Sequence, residues 1–353
     1  MAIPAPVDVH ARFQRLGVAL APEPSAAAQQ VLNPASARLR DGSLQLYPRM
    51  VAPGNISSIG SYRVSEPEDG ALCFEQQGYA LEPEAPYELR AVAGGYGCED
   101  PRVTFIGAID RYVMAYTAFG PRGPEVAVAV SQDGLQWRRL GLMCFGGSDA
   151  PFAVKDAAFF PEPVLSPAGV RSLAFYHRPT IWPPMSPAVA AGGRDEYESL
   201  AIGYVSLEAA LADVSSLRDT VESHRLELPP AQWGRIKVGA GTPPVRIREG
   251  WLSVIHGIDL VERPGRAAYA RYCAGIIVHD IDRLDRIVYR SPSPLFVPRA
   301  EAEVHGTVSH VVFPTAIDHH PDWDARTFDI YYGMGDDEIG RGRLTLGWAN
   351  PGP

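Results

Sequence analysis

Glu99-Asp100-Pro101-Arg102 is the stretch of this chain best equipped for chemistry. Two adjacent carboxylates, a proline and an arginine join the glycine-rich Gly94-Gly95-Tyr96-Gly97 to the apolar Val103-Thr104-Phe105-Ile106. Proline fixes the backbone beyond Asp100, and a guanidinium at Arg102 can hold one carboxylate ionised while the other keeps its proton. An acidic surface turn closed by an Arg102 salt bridge would use the same residues and do nothing.

Other polar residues stand at the ends of short apolar runs, each beside a proline or glycine or paired with a charge. They are Asn33 before Pro34, Arg49 after Tyr47-Pro48, Lys155-Asp156, His177-Arg178-Pro179, His256-Gly257 and Asp336. Singly, each has a plain reading: a strand-end ion pair for Lys155 and Asp156, a braced turn for Arg178, a core histidine for His256. His319-His320 near Asp318 and Asp322 reads as a solvated loop, and no metal site is expected. Gly239-Ala240-Gly241 is half of a dinucleotide loop without the strand-turn-helix unit that gives such a loop meaning. Cys73, Cys98, Cys144 and Cys273 are scattered, form no CxxC and read as reduced structural thiols.

The elements that must position these residues are strands. The 353 residues carry 34 glycines and 33 prolines, too many for a helical protein, with 46% apolar and 21% charged residues. Between these punctuation marks lie strand-length runs: 111–119, 126–130, 172–176, 250–255, 275–278 and 328–332. Ser131-Gln132-Asp133-Gly134-Leu135-Gln136-Trp137 reads as a strand end, an Asp-Gly turn and an aromatic that re-enters the core. Similar units recur at a period of roughly 50 to 70 residues, the signature of a β-propeller of about five blades; a pair of sandwiches fits the strand pattern nearly as well. One helical interruption is expected over Leu207 to Leu217. Residues 1–25, rich in alanine and proline, read as an N-terminal arm, 26–350 as one domain, and Trp182 to Glu198 as a long binding loop. The arm could join copies of the chain into a homo-oligomer. A net charge of -9 leaves no basic stripe for nucleic acid. Without a secretory signal in residues 1–15 or an apolar run long enough to span a membrane, a cytoplasmic protein is expected.

In register along the chain stand Asn33-Pro34-Ala35, Glu99-Asp100-Pro101-Arg102, Lys155-Asp156-Ala157-Ala158-Phe159-Phe160-Pro161-Glu162 and His177-Arg178-Pro179. They are followed by Lys237-Val238-Gly239-Ala240-Gly241-Thr242-Pro243-Pro244, Gly250-Trp251-Leu252 leading to His256-Gly257, Phe313-Pro314 and Tyr331-Tyr332-Gly333-Met334-Gly335-Asp336. The series resembles glycoside hydrolase family 130, the β-mannoside phosphorylases and β-mannosidases, over residues 30 to 345. The resemblance implies an all-β, five-bladed propeller with its active site on the central axis. It implies that Asp100 is the catalytic acid, relaying its proton through the mannose 3-hydroxyl. Asn33, Arg49, Glu99 and Asp336 would contact the sugar, and Lys155, Arg178 and His256 would bind phosphate. The substrates would be a β-mannoside oligosaccharide and inorganic phosphate as co-substrate, with no cofactor.

The chemistry is consistent with those roles. Inversion needs an acid on one face of the sugar and a nucleophile on the other, and phosphate arrives already anionic, asking for fixed cations rather than a second carboxylate. The expected reaction is phosphorolysis of a β-mannoside to α-mannose 1-phosphate. An inverting β-mannosidase would instead need a carboxylate to activate water, for which Glu162, Glu301 and Glu303 are the candidates. A non-catalytic carbohydrate-binding propeller would need no acid at Asp100. Two departures stand out: Lys155-Asp156 replaces the arginine and asparagine of some phosphorylases, and 182–198 reads as an insertion.

Overall fold

A computed structural model of the chain describes residues 9–23, 28–66, 72–92, 94–146, 153–180, 198–320 and 324–348. The expected binding loop, apart from Glu198, lies outside the described residues. Strand β1 (Val9–Leu20) comes first, then a meander of β2 (Gln30–Arg38), β3 (Leu44–Ala52), β4 (Ile56–Ser65) and β5 (Cys73–Leu81). A second meander holds β6 (Tyr96–Ile106), β7 (Arg111–Gly120), β8 (Gly123–Ser131) and β9 (Arg138–Leu142). A short parallel bridge, Ile56 to Tyr96 and Ser57 to Gly97, joins the two into an eight-stranded sheet.

The next sheet contains β10 (Val154–Phe159), β11 (Val164–Leu165), β12 (Arg171–Pro179), β13 (Ala201–Ser206) and β14 (Thr220–Arg225), in the order β10-β12-β13-β14 with β11 beside β12. β15 (Lys237–Ala240), β16 (Val245–Ile247), β17 (Gly250–Arg263), β18 (Arg266–His279) and β19 (Ile287–Arg290) repeat that plan. The last sheet runs β20 (Val312–Asp318), β21 (Thr327–Met334), β22 (Glu338–Trp348) and then β1.

The arm expected over residues 1–25 is corrected here. Val9 pairs with Trp348 and Leu20 with Ile339, so Val9–Leu20 is the outer strand of the last sheet. Phe13 stacks on Phe296 with ring centroids 4.0 Å apart. The alternation of Val9, Ala11 and Phe13 with polar residues is a strand pattern whose partner lies at the far end of the chain. The helix expected over Leu207 to Leu217 is also shorter. α1 (Leu207–Ala212) is capped by the Ser206 hydroxyl, and Asp213 then starts a separate 3-10 turn at Val214–Arg218.

Apolar faces meet between consecutive sheets, which is why so many strands read as continuous β-branched and aromatic runs rather than alternating ones. Phe160, Tyr176, Trp233 and Trp251 form the wedge between the β10–β14 and β15–β19 sheets. Tyr331 and Ile339 of the last sheet pack against Leu46, Met50 and Tyr62 of the first. Between sheets, β2 packs on β6, β6 on β10 and β10 on β15, and β20 packs on β2. The Asp133-Gly134 turn behaves as its residues suggest: the Asp133 carboxylate accepts from the Leu135 and Gln136 N–H groups, and Trp137 packs edge-on against Tyr47 at 5.5 Å.

One device repeats on β2, β6 and β10. The ladder slips between Leu32 and Ala35, between Glu99 and Arg102, and between Lys155 and Ala158. In each slip sits a residue with left-handed backbone: Asn33 (φ 43°), Asp100 (φ 46°) and Asp156 (φ 59°). Asn and Asp tolerate this region better than other side chains, though each such residue still costs about 1 kcal/mol or more. The bulges put these three side chains into the wall of one central cavity.

Candidate active site

The cavity has a volume of about 290 Å³ and two sides of different chemistry. On one side, Asn33 donates its Nδ2–H to Asp100 Oδ1 at 2.8 Å. Arg49 forks across both carboxylates, with Nη2 to Glu99 Oε1 at 2.9 Å and Nη1 to Asp100 Oδ1 at 3.3 Å, while its Nε–H donates to Ser57 Oγ at 2.9 Å. Against the cost of burial, the fields of Arg49, Lys155 and Arg102 and the Asn33 hydrogen bond hold the Asp100 carboxyl below the usual carboxylate range. Asp336, left-handed at φ 56° in the turn after β21, behaves oppositely. Burial and the neighbouring Asp100 and Glu99 charges push it up to about 6 against the pull of Arg49 and Lys155.

On the other side, Arg178 donates Nε–H to Asp156 Oδ2 at 2.6 Å and Nη1–H to Thr180 Oγ1 at 3.2 Å, and pairs closely with Glu198. Lys237 Nζ lies 2.9 Å from Glu198 Oε2. Lys155 Nζ is 3.6 Å from Glu99 Oε2, too far for a hydrogen bond, so its ammonium lines the cavity with donors to spare. It does not pair with Asp156 as a plain strand-end ion pair would; Asp156 faces Arg178, Arg102 and His256 instead.

All the expected site residues except Glu99 line this cavity, and Glu99 touches it through Arg49 and Lys155. Two expectations about the chemistry need correcting. Arg102 does not pair with the Glu99 or Asp100 carboxylate. Its buried guanidinium donates to three backbone carbonyls, Asp100 O at 2.7 Å, Ala240 O at 3.0 Å and Gly241 O at 3.1 Å, and Arg49 does the job assigned to it. His256 is not a cation: burial pushes its imidazole down to about 3, the pull of Asp156 at 3.5 Å notwithstanding. His177, one residue before Arg178 on β12, faces the opposite side of the sheet, where Nε2 bonds Ser223 Oγ at 2.8 Å.

The candidate water-activating carboxylates lie elsewhere. Glu162 is exposed and paired with Arg246 at 3.2 Å, and Glu301 is exposed at the start of α2 (Glu301–Val304). Glu303 is buried but committed to Arg15 at 2.7 Å, Tyr332 at 2.9 Å and two backbone N–H groups. Cys98 is fully buried, and burial pushes its thiol up, away from nucleophilic use. Asp318, in the would-be metal loop, is held by Arg38 at 2.7 Å.

Sequence reasoning missed Asp156, Thr180, Glu198 and Lys237 as members of the site. Lys237 and Asp156 sat inside motifs already noted, and the identical slip after Asn33, Asp100 and Asp156 was the signal available for the latter. Thr180 stood beside the His177-Arg178-Pro179 motif, two residues from Arg178, whereas Glu198 carried no signal, because it meets Arg178 only where the chain returns toward β13.

Comparisons with known proteins agree with this architecture. The model of glycoside hydrolase family 130, described as beta-1,4-mannooligosaccharide phosphorylase, matches residues 7–347. The chain therefore belongs to glycoside hydrolase family 130, whose named relatives include mannoside phosphorylases. It is 27% identical over 289 residues to a 1,2-beta-oligomannan phosphorylase of Thermoanaerobacter sp. (strain X514), covering 81% of this chain and 77% of that protein. The fold is similar to that of a beta-1,2-mannobiose phosphorylase from Listeria innocua, with a TM-score of 0.69 at 19% identity over 94% of this chain and 96% of the other. It is also similar, with a TM-score of 0.68 at 18% identity over 97% and 95%, to a structure described with the family's hydrolases that target beta-1,2 mannosidic linkages in Candida mannan.

Proposed function

We propose that this protein is an inverting β-mannoside phosphorylase, converting a β-mannoside and inorganic phosphate to α-mannose 1-phosphate. The observation that carries the reading is the shared cavity. An acid with sugar-binding partners (Asp100, Asn33, Arg49, Asp336) faces three cations (Lys155, Arg178, Lys237), while Glu162, Glu301 and Glu303 all lie outside its lining. The relatives' activities point the same way. For the fold, we infer a five-bladed propeller. Its support is the set of successive four-stranded meanders, the last completed by β1, and the packing of β20 on β2.

In the resting cavity Asp100 is held ionised, which a general acid cannot be when it acts. A phosphate dianion seated beside Lys155 and Arg178 cancels the Lys155 field that favours the carboxylate, and a mannosyl unit removes water. Both changes raise the Asp100 pKa, so the acid gains its proton when the nucleophile is in place. Phosphate then attacks the anomeric carbon from the cationic side. The glycosidic bond breaks toward the leaving oxygen, which takes the proton of Asp100 by way of the mannose 3-hydroxyl, and the product is α-configured.

Incubating the protein with a β-mannobiose, with and without phosphate, tests this. Phosphate-dependent α-mannose 1-phosphate, its anomeric configuration read by NMR, is the expected result. Equal release of free mannose at every phosphate concentration would mean hydrolysis, and no product at all would mean sugar binding or a different glycoside.

A further inference from the structure

Arg178 and Lys237 are not simply open to a guest. Glu198, on the far side from the sugar residues, already holds both, and its other oxygen accepts from the Thr180 hydroxyl at 2.6 Å. Its backbone is pinned where it stands, because the Val238 N–H donates to Glu198 O at 3.1 Å. The Glu198 side chain is only 10% exposed. A carboxylate gripped by a guanidinium, an ammonium and a hydroxyl is held as an oxyanion guest would be held. We propose that Glu198 is the built-in competitor of the anion site and a specificity-determining residue of the reaction. Its carboxylate takes up donors and positive charge of Arg178 and Lys237, and so sets how tightly, and how selectively, the cavity holds a tetrahedral oxyanion. This rests on the reading of the cavity as a phosphate site.

The charge arithmetic says why such a residue matters. Arg178 has two carboxylate partners, Asp156 on Nε and Glu198 on Nη1, and Lys237 has Glu198. Arg178 and Lys237 offset Asp156 and Glu198, and Arg102, 3.7 Å from Asp156, spends its donors on backbone carbonyls, which leaves Lys155 and the Nη2 end of Arg178 to attract the guest. A singly charged anion therefore finds little net field here, whereas a tetrahedral dianion, phosphate or sulfate, can add hydrogen bonds to both remaining donors. Removing the Glu198 charge leaves Arg178 Nη1 with Thr180 alone, takes the carboxylate partner from Lys237 Nζ and leaves an excess of positive charge. For a doubly charged guest the Coulomb gain is larger than for a singly charged one, because it scales with the product of the charges.

The experiment is direct binding of inorganic phosphate and sulfate to the full chain by calorimetry, in wild type, Glu198→Gln and Glu198→Asp, each checked for a cooperative melt. Glu198→Gln should bind phosphate and sulfate, both tetrahedral dianions, about tenfold tighter than wild type. Glu198→Asp keeps the charge and should stay within about threefold of wild type. Weaker phosphate binding by Glu198→Gln, or an equal gain in Glu198→Asp, would overturn the proposal, since the residue would then be acting as a brace or by its size. Turnover separates this result from the wider reading. A wild type whose mannoside cleavage ignores phosphate defeats phosphorolysis, yet the binding of phosphate and sulfate to the variants still decides the role of Glu198.

Discussion

Asp336 and Asp156 are the same residue type in the same cavity, both with left-handed backbone, and their carboxyls are pushed in opposite directions. Burial raises both. At Asp336 the neighbouring Asp100 and Glu99 add to it and leave the group at about 6, whereas at Asp156 Arg178, with His256 and Arg102 beside it, overwhelms burial and drives the pKa far down. The difference is one of stoichiometry. On the sugar side two carboxylates share one guanidinium, Arg49, and a third carboxylate is left to hold a proton. On the anion side Asp156 faces two guanidiniums and a neutral histidine, while Glu198 is held by Arg178 and Lys237, so Asp156 stays ionised and serves as an anchor. One half is built to carry a proton and the other to carry a charge.

The sharpest way to break this division is at the acid. Asp100→Asn should fold and lose about 10²- to 10⁴-fold in kcat, with Glu99→Gln losing less; activity within a few-fold of wild type would remove Asp100 from the acid role. The anion side is tested next. Arg178→Ala should raise the apparent KM for phosphate by about 10- to 150-fold while sugar affinity holds, and activity should recover at high phosphate. A uniform fall in kcat with no recovery would merge the two halves into one.

Asp336 offers a stability test. The folded chain holds its proton up to about 6, whereas the unfolded chain releases it near 3.8, so this group makes stability fall as pH rises through that window. Asp336→Asn should therefore unfold later than wild type at pH 7, by about 1 to 3 kcal/mol, and the gain should vanish below about pH 4. Denaturant titrations at both pH values would measure it, and equal stability at pH 7 would mean that the cavity does not strain this carboxyl.

The smallest effect is expected at His256. Neutral at all working pH values, it contributes packing and one polar contact. His256→Asn should change the phosphate KM by about fivefold or less and leave its pH dependence unaltered from pH 5.5 to 8.5. A limb near pH 6.5 that disappears in the variant would restore a positive charge to His256 and redraw the anion side.

The strands were legible because their residues obey local rules. The runs at 111–119 and 126–130 became β7 and β8, and the Asp133-Gly134 turn formed where its side chains could cap it. The arm failed for the opposite reason: β1 is a strand through its pairing with β22, more than 300 residues away, and no local propensity announces such a partner. The site followed the same rule. Asp100, Asn33, Arg49 and Arg178 could be named because their residue types and proline neighbours are written in the chain. Their partners could not. Arg102 looked like the carboxylate's guanidinium because it is two residues away, yet a strand sends neighbours two apart to the same face only where the ladder is regular, and the bulge at Asp100 breaks it.

The sequence by itself determined which chemical groups are present, where strands begin and turn, and which family they belong to. Tertiary structure decided which charge meets which: Arg49 with both carboxylates, Asp156 beneath Arg178, Glu198 on the cations, His256 stripped of its proton by burial. The physical reason is range. Propensity and turn chemistry act over a few residues, but the energy of a buried charge depends on every other charge within several ångströms, and folding alone brings those together.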